Sequence, residues 1–143
     1  VRIIGLDPGQ SGGAVLMDDT GIIDRIKFGG LTEHDTAETL IEWASDIPVR
    51  AWIEAVHSMP RQGVASSFKF GKHFGFLIGI LTACSIPYDL VTPAKWQGVL
   101  KCRTKGDKNV SKAAAQRRWP DLRWTHALAD AALIAEYGRL QQR

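Results

Sequence analysis

Three acids, Asp7, Glu54 and Asp130, sit in stretches whose other residues are mostly apolar. Asp7 closes the run Val1-Arg-Ile-Ile-Gly-Leu-Asp7. Glu54 interrupts Ala51-Trp-Ile-Glu-Ala-Val56, and Asp130 lies inside His126-Ala-Leu-Ala-Asp-Ala-Ala-Leu-Ile-Ala135. A carboxylate in a buried element is costly unless something neutralises it. Converging on one point, three such acids would make a divalent-metal site. Oxygen donors of this kind suit Mg²⁺ or Mn²⁺ rather than zinc. Two such ions about 4 Å apart clamp the attacking and leaving oxygens of a phosphodiester, and one lowers the pKa of a bound water. His126 stands four residues before Asp130, so on a helix both face the same point. It is a candidate metal ligand or a candidate base. The expected catalytic and metal-binding set is therefore Asp7, Glu54, His126 and Asp130, with two ions per site.

Elements must carry these groups to one place. Residues 1–7 read as a buried strand, ended by Pro8-Gly9. Residues 12–17 and 21–28 read as two more strands, joined through Asp18-Asp19-Thr20-Gly21 into an antiparallel meander. Residues 32–44 are predicted as an amphipathic helix capped by Thr32, with Ala37, Leu40, Ile41 and Ala44 on one face. Residues 50–56 return as a strand. Parallel to the first and beside it, that strand would set Glu54 next to Asp7. Both would then lie at the carboxyl end, where ligands of α/β sheets collect. Residues 66–83 read as one long helix or two, and 86–91 as a short strand. Thr92 caps a further helix and Pro93 opens it. Residues 100–109 form a basic loop, and helices over 111–119 and 125–140 close the chain. The whole reads as one α/β domain over residues 1–143. Its central sheet is mixed, a three-strand meander plus parallel strands, flanked by helices.

Gly71, Gly75 and Gly79 recur at i, i+4 and i+8, on one helical stripe. Each costs up to about 1 kcal/mol relative to alanine, so close backbone approach should compensate. The partner is either the sheet or a second helix across a dimer interface.

The net charge of +3 is modest, but its distribution is not even. Between Lys95 and Arg123 stand Lys95, Lys101, Arg103, Lys105, Lys108, Lys112, Arg117, Arg118 and Arg123, against only Asp107 and Asp121. A basic segment beside an acidic metal site is what a phosphodiester polyanion requires. Lys105, Lys108 and Lys112 are candidate phosphate contacts. Arg61, Gln62 and Gly63 lead into a helix N-terminus, which favours phosphate. Ser66, Ser67, Phe68, Lys69 and Phe70 mix hydroxyls, a base and aromatics. Such a ring stacks on an unpaired base if it is exposed, and is ordinary core if it is buried. His34, His57 and His73 read as bystanders. Cys84 and Cys102 lack metal-ligand spacing and read as reduced thiols in a cytosolic protein. No apolar run is long enough to span a membrane. Cytoplasm of a bacterial or phage-infected cell is the expected location. The chain starts at Val1, so a trimmed leader and an organellar origin stay open.

Ile4-Gly-Leu-Asp-Pro-Gly9, Ile53-Glu54 and Ala129-Asp-Ala-Ala-Leu-Ile-Ala135 resemble the RuvC-type Holliday junction resolvases. Met59-Pro-Arg-Gln-Gly-Val64, Thr92-Pro-Ala-Lys-Trp-Gln97 and Ala135-Glu-Tyr-Gly138 look like the phage and plastid branch of that group. The resemblance covers nearly the whole chain. It implies a ribonuclease H-like fold, a homodimer, and Mg²⁺-dependent paired nicking of four-way DNA junctions to leave 5′ phosphates. Asp7, Glu54 and Asp130 match family carboxylates. His126 falls where many members carry another acid, which leaves open a weaker metal site or one that prefers Mn²⁺. A basic residue near the scissile phosphate would correspond to Lys108 or Lys112. Other classes remain in view. Sugar-kinase and actin-like ATPases begin on a similar Asp-x-Gly hairpin, but they need two such domains to enclose a nucleotide. A less selective branched-DNA or flap nuclease, and a catalytically weak junction-binding protein, stay open because one fold hosts many activities.

Overall fold

The computed structural model describes residues 1–55 and 63–142. His57, Arg61, Gln62 and most of the Met59-to-Val64 motif lie outside them. The elements in chain order are β1 (Arg2–Asp7), β2 (Gly13–Asp18), β3 (Gly21–Lys27), α1 (Glu33–Trp43), β4 (Val49–Glu54), α2 (Val64–Ala83), β5 (Tyr88–Val91), α3 (Pro93–Val99), α4 (Asn109–Arg118) and α5 (His126–Gln141). They build a sheet of order β3-β2-β1-β4-β5. The first three strands pair antiparallel, whereas β4 runs parallel to both β1 and β5. This is the mixed sheet, meander plus parallel strands, that the sequence predicts.

The two-residue period of the strands divides the core. Ile4, Leu6, Leu16, Ala51 and Ile53 face α1 and α2, where they meet Leu40, Trp43, Leu77 and Leu81. Ile3, Val15 and Met17 face the opposite way, onto Ala129, Ala132 and Ala135 of α5. Asp7 shares its parity with Ile3, and Glu54 shares its parity with Trp52, so both acids fall on the α5 side. Gly5 lets α5 come down onto β1 there. A Cβ at Gly5 would stand 2.2 Å from the Ala131 carbonyl oxygen. Residues from Leu128 to Gly138 are almost all buried, as expected of a helix apolar all round.

Three expectations need correction. Ile41 is 51% exposed. The buried face of α1 is Thr36, Leu40 and Trp43, because the Trp43 ring turns inward and its Nε1 donates to Asp24 at 3.0 Å. The 66–83 segment is a single helix that starts earlier, at Val64. The glycine stripe of α2 does not pack on the sheet: a Cβ at Gly71, Gly75 or Gly79 would meet nothing within 4 Å. With Val64 at 88% and Phe68 at 71% exposure, the stripe forms an open apolar face along α2. Both cysteines are free thiols. No helix among the described residues is long and apolar enough to cross a membrane.

Candidate active site

The pairing Leu6↔Ile53 between β1 and β4 sets the next residues, Asp7 and Glu54, side by side at the carboxyl ends of two parallel strands. Thr125 caps α5, its side chain accepting from the Leu128 amide. The cap fixes the start of the helix and leaves Asp130 in its second turn, over the same strand ends. Asp7, Glu54, His126 and Asp130 therefore line one pocket of about 270 Å³, together with Lys108 and Phe70. A cavity of about 350 Å³ opens at the opposite end of the sheet, around the β2–β3 turn. Within it Arg139 and Arg118 both pair with Glu136.

The pocket is electrostatically strained. Burial, and then the charges of Glu54 and Asp130, hold the Asp7 carboxyl well above the usual carboxylate range. Burial pushes Glu54 up to about 7, aided by Asp130 and opposed by a hydrogen bond from Trp96. Asp130 is also raised by burial, against the pull of Ser111, Lys108 and His126. Lys108 acts on all three acids in the direction that favours their charged forms. Such concentrated perturbation is characteristic of functional sites.

Neighbouring groups fix part of the geometry. Trp96, fully buried, donates its Nε1–H to Glu54 Oε2 at 2.7 Å. Thr92 and Pro93 place that ring by opening α3 directly after β5. Asp130 Oδ1 is buried with no hydrogen-bond partner among the described residues. His126 is exposed, and its Nε2 lies 3.1 Å from Asn109 Oδ1 at the start of α4. Among the described residues, no three His, Cys, Asp or Glu side chains stand close enough to enclose one ion as arranged. The donor set nevertheless fits a hard divalent cation. It consists of carboxylate oxygens, one of them orphaned, in a pocket whose lining includes the cation Lys108.

The expected DNA-contacting residues fall in different places. Gly63 is the N-cap of α2. Ser66, Phe68 and Lys69 are exposed, and Ser67 is half-buried. Phe68 is therefore not core. Phe70 is half-buried and lines the pocket. Lys105 sits in the exposed loop with φ 48°, beside Gly106 at φ 88°. Of Lys105, Lys108 and Lys112, Lys108 alone lines the pocket; Lys112 is half-buried on α4. His34 is exposed, 3.5 Å from Glu38. His73 is buried and accepts a hydrogen bond from the Gly9 amide. Trp96 and Asn109 escape sequence reasoning as well. The one available signal was a tryptophan three residues into a capped helix that follows a strand paired with the Glu54 strand.

No protein-family model matches the sequence, and no curated protein does. Solved structures do. Thermus thermophilus RuvC superposes with a TM-score of 0.65 at 16% identity, over 99% of this chain and 97% of its own. The structure of T. thermophilus RuvC in complex with Holliday junction substrate gives 0.66 at 15% identity, over 98% and 96%. The chain has the RuvC-type ribonuclease H-like fold. The yeast mitochondrial Holliday junction resolvase Ydc2 shares it, with a TM-score of 0.51 at 16% identity, over 99% of this chain and 80% of Ydc2. At such identities the RuvC likeness is one of fold, and the case for chemistry rests on the pocket.

Proposed function

We propose that this chain is a metal-dependent endodeoxyribonuclease that resolves four-way DNA junctions by paired nicking. One observation carries the proposal. Acids from β1, β4 and α5 line a single pocket with Lys108, on a fold shared with a RuvC solved on a Holliday junction. Asp7, Glu54 and Asp130, with His126 beside them, would hold Mg²⁺ or Mn²⁺. When bound, two such ions supply Lewis-acid stabilisation of the phosphodiester and a water of lowered pKa. The chain's own residues do the rest. Trp96 holds Glu54 in place. Lys108 attracts the scissile phosphate, and Phe70 walls the pocket against bulk water. Gly63, Ser66, Ser67, Phe68 and Lys69 flank the junction on α2, with Lys105 and Lys112 on the basic side. Phe68, exposed on α2, would stack on an unpaired base at an opened junction centre.

A junction is two-fold symmetric, so two copies related by a two-fold axis would cut opposite strands. The open stripe of Gly71, Gly75 and Gly79 is the face proposed for that homodimer. The test is cleavage of synthetic four-way junction, flap and linear duplex with Mg²⁺ or Mn²⁺, beside Asp7→Asn. Selective, metal-dependent cutting of the junction that Asp7→Asn abolishes is the expected result. Equal cutting of flap and junction would make this a less selective branched-DNA nuclease, and binding without cutting would make it a junction-binding protein.

A further inference from the structure

We propose that His73 is a positioning residue of this site: its Nδ1 accepts the Gly9 amide and so holds the turn that carries Asp7. The inference deepens the nuclease reading and rests on it for the role of Asp7. Asp7 is fixed on one side by the sheet, where it pairs with Gly13. Beyond it the chain leaves the sheet through Pro8 and Gly9. Gly9 adopts φ +107°, a conformation that favours glycine. The Gly9 N–H points at His73 Nδ1, 2.9 Å away and 64 residues distant in sequence. The Gly9 carbonyl closes the turn by accepting from the Gly12 amide at 3.0 Å.

The ring itself is held by packing. Phe28 meets it edge-on with centroids 4.7 Å apart, and Phe76 lies at 6.0 Å. An apolar side chain would fill such surroundings as well, so packing alone does not call for histidine. An acceptor facing a buried amide does. Accepting at Nδ1 requires a lone pair there, so the neutral ring carries its proton on Nε2. The charged groups around the ring are Glu33 of α1 and Lys69 and Lys72 of α2, which border the same cavity of about 290 Å³. Phe70, three residues earlier on α2, covers Gly9 from the pocket side. Helix α2 thus grips the catalytic turn at two points while its opposite face stays open.

The test compares His73→Asn, which keeps an acceptor near the Nδ1 position, with His73→Leu, which keeps bulk and loses the acceptor. Junction affinity measured without divalent metal should be unchanged in both. The single-turnover cleavage rate of His73→Leu should fall about tenfold to a hundredfold, the scale of a small misplacement of a reacting group. His73→Asn should recover most of it. In DNA-free protein, nitrogen-15 spectra should show His73 with Nδ1 unprotonated, and amide exchange at Gly9 should be slow in the parent and fast in His73→Leu. A parental cleavage rate in His73→Leu would overturn the role. So would an Nδ1-protonated tautomer in the parent, a reading that needs no variant to fold. If the parent cuts no junction while the Gly9 contact is seen, the nuclease reading fails and takes the catalytic role of His73 with it. If the parent cuts and His73→Leu cuts equally, only the role of His73 fails.

Discussion

Each carboxylate of the pocket is caught between burial and the charge of its neighbours, and this sets what single substitutions should do. Asp7→Asn or Glu54→Gln should abolish cleavage and leave junction binding intact or tighter, because each removes a metal donor and a charge that repels phosphate. A filter-binding assay beside a cleavage assay checks both halves. The raised carboxyl pKa values also predict a stability trend for metal-free protein. The contribution of Glu54 is fully present below its unfolded value, 4.5, and is lost as pH rises through its folded value of about 7. Glu54→Gln, whose amide oxygen still accepts from Trp96, should therefore melt several degrees above the parent at pH 8 and match it near pH 4. Thermal scans across pH, with and without Mg²⁺, read this directly. His73 runs the other way: burial lowers its pKa, so its contribution is present above 6.5 and is lost as pH falls through the folded value. At His126, Asp should retain activity and shift preference from Mn²⁺ toward Mg²⁺, whereas Ala should lose most activity. Cleavage rates in the two metals decide this. The acids were legible in the sequence because a charge inside an apolar run is an anomaly visible without a fold. Trp96, Asn109 and His73 were not. Their partners are a carboxylate 42 residues away, a ring 17 away and a backbone amide 64 away, and no local pattern marks such pairings.

At the scale of elements, alternation and caps carried most of the information. The strand periods of β1 and β4, with Pro8 and Gly9 ending the first, put Asp7 and Glu54 at strand ends. Their meeting rested on the condition that the two strands run parallel and adjacent, which the pairing meets. Thr92-Pro93 and Thr125 announced α3 and α5. The face of α1 was misjudged at Ile41, because Trp43 was left out of the apolar stripe and its bond to Asp24 is long-range. The partner of the α2 glycines was not readable, since spacing says that a stripe exists but not what lies against it. The open stripe permits a clean test. Gly75→Arg meets no neighbour within the chain and removes a helical glycine, so the monomer should be stabilised by up to about 1 kcal/mol. The proposed dimer should nonetheless dissociate, and sedimentation would show both effects separable. In the basic segment, replacing Lys105, Lys108 and Lys112 together should weaken binding to every DNA structure. It should also flatten the dependence of log affinity on log salt by about two to three, roughly 0.9 per lost phosphate contact. An unchanged slope would place these lysines away from DNA.

For the whole molecule, the central claim is that one fold-encoded pocket per copy, doubled by symmetry, cuts both strands of a junction in concert. Architecture alone does not establish this, because the same sheet and helices serve many chemistries. The meeting of three acids in one pocket is the ground on which hard-metal phosphodiester cleavage is proposed. The proposed dimer face and the basic segment are the ground for proposing branched DNA as the substrate. The measurement that tests the claim most directly uses a supercoiled plasmid that extrudes a cruciform, with Mg²⁺ and limiting enzyme. Paired nicking within one encounter converts supercoiled plasmid directly to linear DNA, with 5′ phosphates at both cuts and nothing from Asp7→Asn. Accumulation of nicked circles ahead of linear product would contradict the account, and so would linear product formed equally by Asp7→Asn.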